Sequence, residues 1–357
     1  MQRLVICCDG TWNTPDQKDR GVMRPSNVMK LSRWVMPQDR NGVAQKDHYD
    51  KGVGTGDIVD RAFGGLFGVG LAHNIREAYE FLSQNYDDGD QVFLFGFSRG
   101  AYTVRRTVGM VRKCQLLPKD LGDEARKAAI EEGYGVFTLR EGGPDSEVAQ
   151  MFSKKYRCRP ASIHCLGVWD TVGAYGIGGV MGQLTSRLSK SRFHDRRLSS
   201  IVECAYQAIA IDEGRRLFGP TLFEEGPTAL QGGNQVLEQS WFAGVHSNIG
   251  GGYQDAGLSD IALHWMAARA ERCGLFLEPG WRTRLKPNAL GELRDSRTGL
   301  YRFMGNAVRP IGKQKNGFES AHNAAMDRIT RDPAGYAPEN LVAYRASSDF
   351  KVDVTET

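Results

Sequence analysis

Short apolar runs that each end at a polar side chain recur along this chain, with helix-like segments between them. The clearest are LVICC before Asp9, VFLFGF before Ser98, CLGVW before Asp170 and SWFAGV before His246. Such alternation predicts an α/β fold, with a mainly parallel sheet covered by helices on both faces. Because the working residues of these sheets lie beyond the carboxyl ends of the strands, we expect the four polar side chains to share one edge.

The intervening segments predict further elements of the same fold. A helix is expected around residues 27–35 and a strand near residues 48–51. A glycine-rich loop, GVGTG, and an amphipathic helix, AHNIREAYEFLSQNY, come next. The loop lacks the G-K-[ST] ending of a nucleotide-binding P-loop, so we interpret it as a loop that borders a pocket.

Two segments do not fit the strand rhythm. Residues 116–159 contain helical stretches such as DEARKAAIEEG, and residues 173–197 are glycine-rich and then basic. We interpret both as cap or lid insertions above the sheet. With no repeat and no linker composition, the chain is expected to form a single domain over residues 1–357.

The pattern G-x-S-x-G at residues 96–100 is the first candidate for chemistry. With 43 glycines in the chain, this spacing can arise by chance, and a structural turn serine is the alternative reading. The strand-like run before it and the helical pattern after it match the strand, tight turn and helix of a nucleophile elbow. We therefore predict that Ser98 is a nucleophile and that the backbone N–H of Arg99 contributes to an oxyanion hole.

A serine nucleophile needs a histidine to accept its proton and a carboxylate to orient that histidine. Asp170 and His246 follow Ser98 in the order Ser, Asp, His of α/β-hydrolases, and each ends an apolar run. An isolated aspartate at a strand end is more often a turn or helix cap. His322 also follows Asp170, so it remains the rival to His246. The other five histidines precede Asp170, lie between it and His246, or face a helix core: His48, His73, His164, His194 and His264.

The segment DGTWN is the best candidate for the second oxyanion donor, through the backbone N–H of Gly10 or Thr11. Asp9 is expected to organise that loop by hydrogen bonding rather than to take part in the chemistry. A metal site built on Asp9, Asp255 or Asp260 lacks any ligand-spacing signature, so neither a metal nor a cofactor is expected.

The charge and hydropathy of the chain limit the classes of partner that we expect for it. The net charge of +4 does not call for a nucleic-acid partner. Basic runs at residues 187–197 and 309–315 are usually solvated faces and less often meet an anionic surface. The N-terminus lacks the features of a signal peptide, and no run approaches the ~20 apolar residues of a membrane span. We expect a protein that is cytoplasmic as synthesised, with any membrane contact peripheral.

Five ordered motifs carry a family resemblance: CCDGTWN, GVGTG, GFSRGAY, VWDTVG and WFAGVHSNIGGGY. Together with GLSDIALHWM and ESAHNAAMDRI, they resemble the catalytic-domain family of type VI secretion phospholipase effectors, which has an α/β-hydrolase fold. The resemblance implies a triad at Ser98, Asp170 and His246, hydrolysis of phospholipid esters, secretion without a signal peptide, and an immunity protein for a secreted effector.

Two departures accompany the resemblance. The family commonly has Asp where this chain has Asn248, which alters a hydrogen bond beside the histidine. Secreted effectors usually carry an additional membrane-docking region, and this chain is expected to contain only the catalytic domain. The leading hypothesis is therefore that the chain is a serine lipase or a phospholipase, with phospholipase A as one candidate type. The alternatives are a carboxylesterase for small soluble esters and a non-catalytic binding protein that keeps the fold.

Overall fold

The computed structural model describes residues 1–10, 17–52, 66–139, 142–172, 197–224, 235–303, 305–314 and 318–355. Several predictions from the sequence fall outside these ranges. They are the backbone donor at Thr11, all but the first glycine of the GVGTG loop, and the proposed insertion 173–197 except its last residue.

The centre of the fold is an eight-stranded sheet in which every neighbouring pair of strands runs parallel. Its order is β4-β1-β5-β6-β7-β8-β9-β10, and β2 and β3 form a separate antiparallel pair. The strands are β1 Arg3–Cys8, β2 Lys18–Asp19, β3 Val22–Met23, β4 Gln45–Asp50, β5 Gln91–Phe97, β6 Ile163–Trp169, β7 Val202–Ala210, β8 Val236–Phe242, β9 Glu319–His322 and β10 Val352–Asp353.

Helices cover both faces of this sheet, which confirms the predicted α/β-hydrolase-like class. The described helices are α1 Asn27–Trp34, α2 Leu66–Asn85, α3 Arg99–Cys114, α4 Asp123–Thr138, α5 Glu147–Tyr156, α6 His246–Gly250, α7 Gly257–Arg272, α8 Asn323–Arg331 and α9 Glu339–Arg345. Alternate residues of β1 enter different cores: Leu4 and Ile6 pack with α2 and α3, whereas Val5 and Cys7 pack with α1 and α7. A strand buried on both faces reads as a continuous apolar run, which is why LVICC shows no alternation.

The strand order creates a crevice at one point of the carboxyl edge. From β1 the chain moves outward to β4 and then returns to β5 on the opposite side of β1. The connections that leave β1 and β5 therefore diverge, and such a switch point is where parallel α/β sheets bind ligands. The segments that follow Cys8 and Phe97 both begin at this crevice.

The segment 116–159 forms an outer helical layer. Its ends are joined by reciprocal backbone hydrogen bonds between Leu116 and Arg159, at 2.9 and 2.7 Å. Helix α4 packs on α2 and α3, and α5 packs on α3 and α4. Together they bury Ile130 and Phe152 in the core of that face. A role for this segment as a cap, and the division of the chain into a single domain, stay predictions.

Candidate active site

Ser98 lies in a strained turn between β5 and α3. Its backbone has φ 56° and ψ −116°, a region that residues with a Cβ rarely adopt. The glycines on either side are required by close backbone approach. A Cβ on Gly96 would lie 2.5 Å from the carbonyl oxygen of Gly100, and one on Gly100 would meet the carbonyl oxygens of Cys8 and Asp9. The geometry is that of a nucleophile elbow, and it presses the start of α3 against the end of β1.

His246 connects Ser98 to Asp170. Its Nε2 lies 2.8 Å from Ser98 Oγ, and its Nδ1 lies 2.5 Å from Asp170 Oδ2. The imidazole contacts two aromatic rings, with centroid distances of 4.6 Å to Phe97 and 5.2 Å to Phe218. The structure therefore brings the three predicted side chains into one hydrogen-bonded chain at the carboxyl edge of the sheet.

The electrostatic setting keeps this imidazole neutral near pH 7. Burial lowers the pKa of His246, and Arg215 acts in the same direction. The carboxylates of Asp170 and Glu213 oppose this shift, but the pKa stays below its ordinary value. A neutral imidazole whose Nδ1–H donates to Asp170 has Nε2 available to accept a proton from Ser98.

Asp170 is fully buried at the end of β6, with a backbone φ of 38°. Its Oδ1 accepts the Ala210 N–H at 3.0 Å, and the Arg309 guanidinium reaches both carboxylate oxygens, at 2.6 and 3.0 Å. Burial by itself raises the pKa of Asp170. The charge of Arg309 and the hydrogen bond with His246 outweigh burial and hold the pKa below its ordinary value. The carboxylate is therefore ionised at every pH near neutrality.

Arg309 was not identified from the sequence as a site residue. It belongs to the basic run 309–315, which is typical of a solvated face, yet it is only 3% exposed. Besides the carboxylate of Asp170, its guanidinium donates to the carbonyl oxygens of Ala210 and Phe218, at 2.9 and 2.5 Å. The sequence around an arginine in a basic run does not indicate that its side chain is buried.

Glu213 is a second buried charge that the sequence reading missed. Its carboxylate accepts the backbone N–H of His246 at 3.2 Å, the Ser296 hydroxyl at 2.8 Å and a two-pronged contact from Arg215 at 2.8 and 2.9 Å. A signal was present, since AYQAIAIDEG is another apolar run that ends at acidic residues. Its strand, β7, lies between those that carry Asp170 and His246.

Asp9 has the organising position expected of it. Its carboxylate accepts hydrogen bonds from Ser26 and from the Tyr49 hydroxyl, the latter at 2.7 Å, and from the backbone N–H of Gly10 at 2.7 Å. Ser26 also caps helix α1, so Asp9 ties the loop after β1 to that helix. The N–H of Gly10, one of the two predicted oxyanion donors, is thus directed at Asp9 in this structure.

Asn248 shapes the loop that presents His246. Its Oδ1 accepts the backbone N–H of Val245 at 3.2 Å, and its Nδ2 donates to the carbonyl of Glu292 at 3.0 Å. The amide uses its acceptor and its donor in different directions, which a carboxylate could not do.

His322, the rival histidine, caps a different helix. Its Nδ1 accepts the N–H of Ala324 at the start of α8, and its ring stacks on Phe242 with centroids 4.5 Å apart. Burial lowers the pKa of His322 to about 4. The structure pairs Ser98 with His246 instead.

The acidic residues considered as metal ligands are engaged by protein donors. Asp260 pairs with the Lys30 ammonium at 2.8 Å, and Asp255 accepts the backbone N–H of Gly257 at 2.9 Å. Within the described part of the chain, no three His, Cys, Asp or Glu side chains are grouped as a metal site requires. Likewise, none of the described helices has the length and apolar character needed to cross a membrane.

A family model matches residues 2–269, about three quarters of the chain, and its description is "T6SS, Phospholipase effector Tle1-like, catalytic domain". This match confirms the resemblance drawn from the motifs. An uncharacterized protein of Saccharomyces cerevisiae (strain ATCC 204508 / S288c), YEL023C, is 28% identical over 243 residues, which cover 63% of this chain and 33% of the relative. The chain therefore spans about a third of the length of that curated relative.

Two solved structures are also similar. The crystal structure of an uncharacterized protein from Pseudomonas aeruginosa has a TM-score of 0.43 at 17% identity. The match covers 96% of this chain and 52% of the Pseudomonas chain. The structure of the Tle1 effector bound to the VgrG spike from the Type 6 secretion system has a TM-score of 0.38 at 20% identity. The match covers 72% of this chain and 52% of the effector chain. The chain spans about half the length of each.

Proposed function

Since the chain belongs to the family of Tle1-like catalytic domains of type VI secretion phospholipase effectors, we propose that it is a serine hydrolase that cleaves the carboxylic esters of phospholipids. The observation that carries the proposal is the hydrogen-bonded chain from Ser98 through His246 to Asp170. The family membership supports the substrate class, and the positions of these side chains support the mechanism.

In the first half of the reaction, His246 Nε2 accepts the hydroxyl proton of Ser98 while the serine oxygen attacks the ester carbonyl. The tetrahedral intermediate collapses and breaks the bond to the leaving alcohol, which takes the proton from His246. The product of this half is an acyl ester on Ser98 and a free alcohol, a lysophospholipid when a phospholipid is the substrate.

In the second half, water replaces the alcohol. His246 accepts a proton from the water as its oxygen attacks the acyl carbonyl, and then returns that proton to the oxygen of Ser98. The fatty acid leaves and the enzyme is regenerated. Asp170 stays ionised throughout and stabilises the imidazolium, while Arg309 keeps that carboxylate in place.

The oxyanion of each intermediate is proposed to lie at the N-terminus of α3. Arg99 is the first residue of that helix, and the N–H groups of a first turn point out of the helix end and favour negative charge. Loss of one such donor costs about 10²–10³-fold in rate. Because the Gly10 N–H is directed at Asp9, the second donor is Thr11 or a rotated Gly10.

The biological context completes the proposal. The family membership favours delivery by a type VI secretion system, which uses no cleaved signal, a peripheral contact with the target membrane and a cognate immunity protein. Periplasmic expression in a bacterial host tests this context. We expect growth arrest with the active chain and normal growth with Ser98→Ala.

The chemistry itself is tested by a fluorophosphonate probe, which labels activated serines. We expect the full chain to be labelled and Ser98→Ala to be unlabelled and inactive. Ser146→Ala is the matched control, because Ser146 Oγ makes no hydrogen bond among the described residues. Labelling of Ser98→Ala at the wild-type level would exclude Ser98 as the nucleophile.

Substrate class is tested separately, with acyl esters of increasing chain length and with phospholipid vesicles. A phospholipase is expected to prefer long chains and to be activated at the vesicle surface. Preference for acetyl or butyryl esters without such activation would favour the small-ester carboxylesterase. Absence of labelling together with absence of turnover would favour a binding protein.

A further inference from the structure

A pocket of about 180 Å³ opens beside the C-terminal half of α3. Its floor includes apolar side chains from β6 and β7, and its wall is strongly basic. The described residues that line it include no acidic side chain and five basic ones, namely Arg105, Arg106, Arg112, Lys113 and Arg197. Four of these come from the segment RRTVGMVRK, in which a spacing of seven residues places two basic pairs on one face of the helix.

Three of these charges, those of Arg106, Arg112 and Lys113, have little compensation from described carboxylates. Lys113 is 9% exposed, and its ammonium donates to the carbonyl of Leu139 at 3.2 Å. Burial lowers the pKa of Lys113; Cys114 opposes this shift, and the charge of Arg106 adds to it. No described carboxylate lies within ion-pair distance of Lys113 or Arg106, and Arg112 pairs at 3.5 Å with Asp145, which is 81% exposed. Such a cluster is unfavourable unless an anion joins it.

Two of the guanidinium groups are held in place before any ligand arrives. Arg105 lies over the ring of Phe223, 3.8 Å from its centroid, and donates to the carbonyl of Thr221 at 2.6 Å. Arg106 lies over the ring of Phe137, 4.2 Å from its centroid. A guanidinium fixed by an aromatic ring, as that of Arg106 is, offers planar, two-pronged donors that match the oxygens of a phosphate.

The polarity of the helix does not by itself explain the cluster. Cations near a helix C-terminus are stabilised by its negative end, which accounts for Arg112 and Lys113 in the last turn of α3. Arg105 and Arg106 lie two turns earlier, where this effect has faded. They are also separate from the catalytic serine, because 7 residues of helix at ~1.5 Å each already place them about 10 Å along α3 from Ser98.

We propose that this pocket is a binding site for a phosphate group on an anionic ligand, distinct from the catalytic crevice. Its volume is several times the ~30 Å³ that one water occupies in the liquid, so a phosphate fits. The apolar floor, which includes Leu166 and Val202, accepts the carbon part of the ligand next to the phosphate. This site goes beyond the proposed ester hydrolysis and does not depend on it.

The test measures binding of inorganic phosphate to the full chain by titration calorimetry. The pocket variant is Arg106→Gln/Arg112→Gln. The control, Arg33→Gln/Lys154→Gln, removes the same charge from exposed positions outside the pocket. We expect the pocket variant to bind phosphate at least tenfold more weakly than the wild type, and the control to bind within twofold of it. Equal binding by all three proteins, or no binding by the wild type at millimolar phosphate, would overturn the proposal.

A second arm identifies the source of the phosphate. Sedimentation with vesicles of phosphatidylcholine, with and without phosphatidic acid, is performed in the Ser98→Ala background so that the lipids stay intact. Binding that requires phosphatidic acid, is lost in the pocket variant and is reversed by soluble phosphate supports a lipid headgroup. Phosphate binding without vesicle binding supports a soluble phosphate ester. Because neither arm measures hydrolysis, failure of the proposed catalytic function leaves the outcome readable.

Discussion

The guanidinium of Arg309 contacts both carboxylate oxygens of Asp170, at 2.6 and 3.0 Å, and both residues are buried. The aspartate of the proposed triad is therefore held by a cation that shares the Oδ2 atom with His246 and also contacts Oδ1. A buried carboxylate without such a partner would be costly to ionise, and the charge of Arg309 offsets part of that cost. Arg309 thus acts through Asp170, as a positioning residue.

Replacing Arg309 by methionine removes the cation from this buried pair. We expect the free energy of unfolding to fall by about 3–5 kcal/mol, because Asp170 keeps its burial and loses its charge partner. Since the pKa of Asp170 is lowered in the folded state, the contribution of the pair is fully present above the ordinary aspartate pKa of about 3.9 and is lost only as the pH falls below it.

Urea unfolding at pH 7 measures this effect. Arg309→Lys keeps a charge but not the two-pronged geometry, so it should fall between the wild type and Arg309→Met. Arg302→Met, at an exposed position, should change stability by no more than about 0.5 kcal/mol. A stability loss in Arg309→Met no larger than that of this control would contradict the assigned role.

The pH dependence of kcat/KM should report the imidazole of His246. Burial lowers the pKa of His246, with Arg215 acting in the same direction and Asp170 and Glu213 opposing it. The neutral form is the active base, so the rate should rise with pH through a midpoint below the ordinary value of about 6.5 and then level off. A midpoint above 6.5 in the wild type would rule out this assignment.

Removing a nearby cation should move that midpoint in a defined direction. In Arg309→Met the charge of Asp170 is no longer balanced and stabilises the imidazolium more strongly, so the acid limb should shift to higher pH. A purely structural role for Arg309 would lower the rate at every pH without moving the midpoint.

The two candidate base residues, His246 and His322, are distinguished by making the same substitution at each. His246→Asn should reduce kcat by about 10³-fold or more, because Ser98 loses its base. His322→Asn should keep most of the activity, since asparagine can replace the ring as the N-cap acceptor for Ala324. Rates of fluorophosphonate labelling at pH 7 give the comparison, and a greater loss in His322→Asn than in His246→Asn would reverse it.

Gly100, the second glycine of the elbow, is expected to tolerate no side chain. A Cβ at Gly100 would collide with the carbonyl oxygens of Cys8 and Asp9, so Gly100→Ala must move either the elbow or the loop after β1. We expect stability to fall by about 1–3 kcal/mol and labelling of Ser98 to be largely lost. Gly135→Ala is the control, because its Cβ meets nothing within 4 Å and should raise helix stability by up to about 1 kcal/mol. Thermal unfolding and labelling are measured on both.

The sheet and the carboxyl edge that carries the proposed triad could be predicted, because buried parallel strands appear in the sequence as apolar runs. The position of Ser98 followed from a local pattern, since glycines are needed wherever backbones approach closely. Arg309 could not be predicted in the same way, because its partner lies 139 residues away and its burial is decided by tertiary packing. The direction of the Gly10 N–H was also inaccessible, since it depends on the side-chain conformation of Asp9.

Asn248 offers a test of the loop that presents His246. The Asn248 amide accepts from the N–H of Val245 and donates to the carbonyl of Glu292. In Asn248→Asp the acceptor remains, but a carboxylate oxygen would face that carbonyl and leave it without its donor. We expect stability to fall by about 1–3 kcal/mol, and the loop that carries His246 to loosen. Asn248→Ser has a shorter side chain, which removes the amide donor to Glu292 without adding a charge. It separates the loss of that donor from the effect of the added charge. If thermal unfolding and labelling place Asn248→Asp at or above the wild type, the Glu292 contact does not position His246.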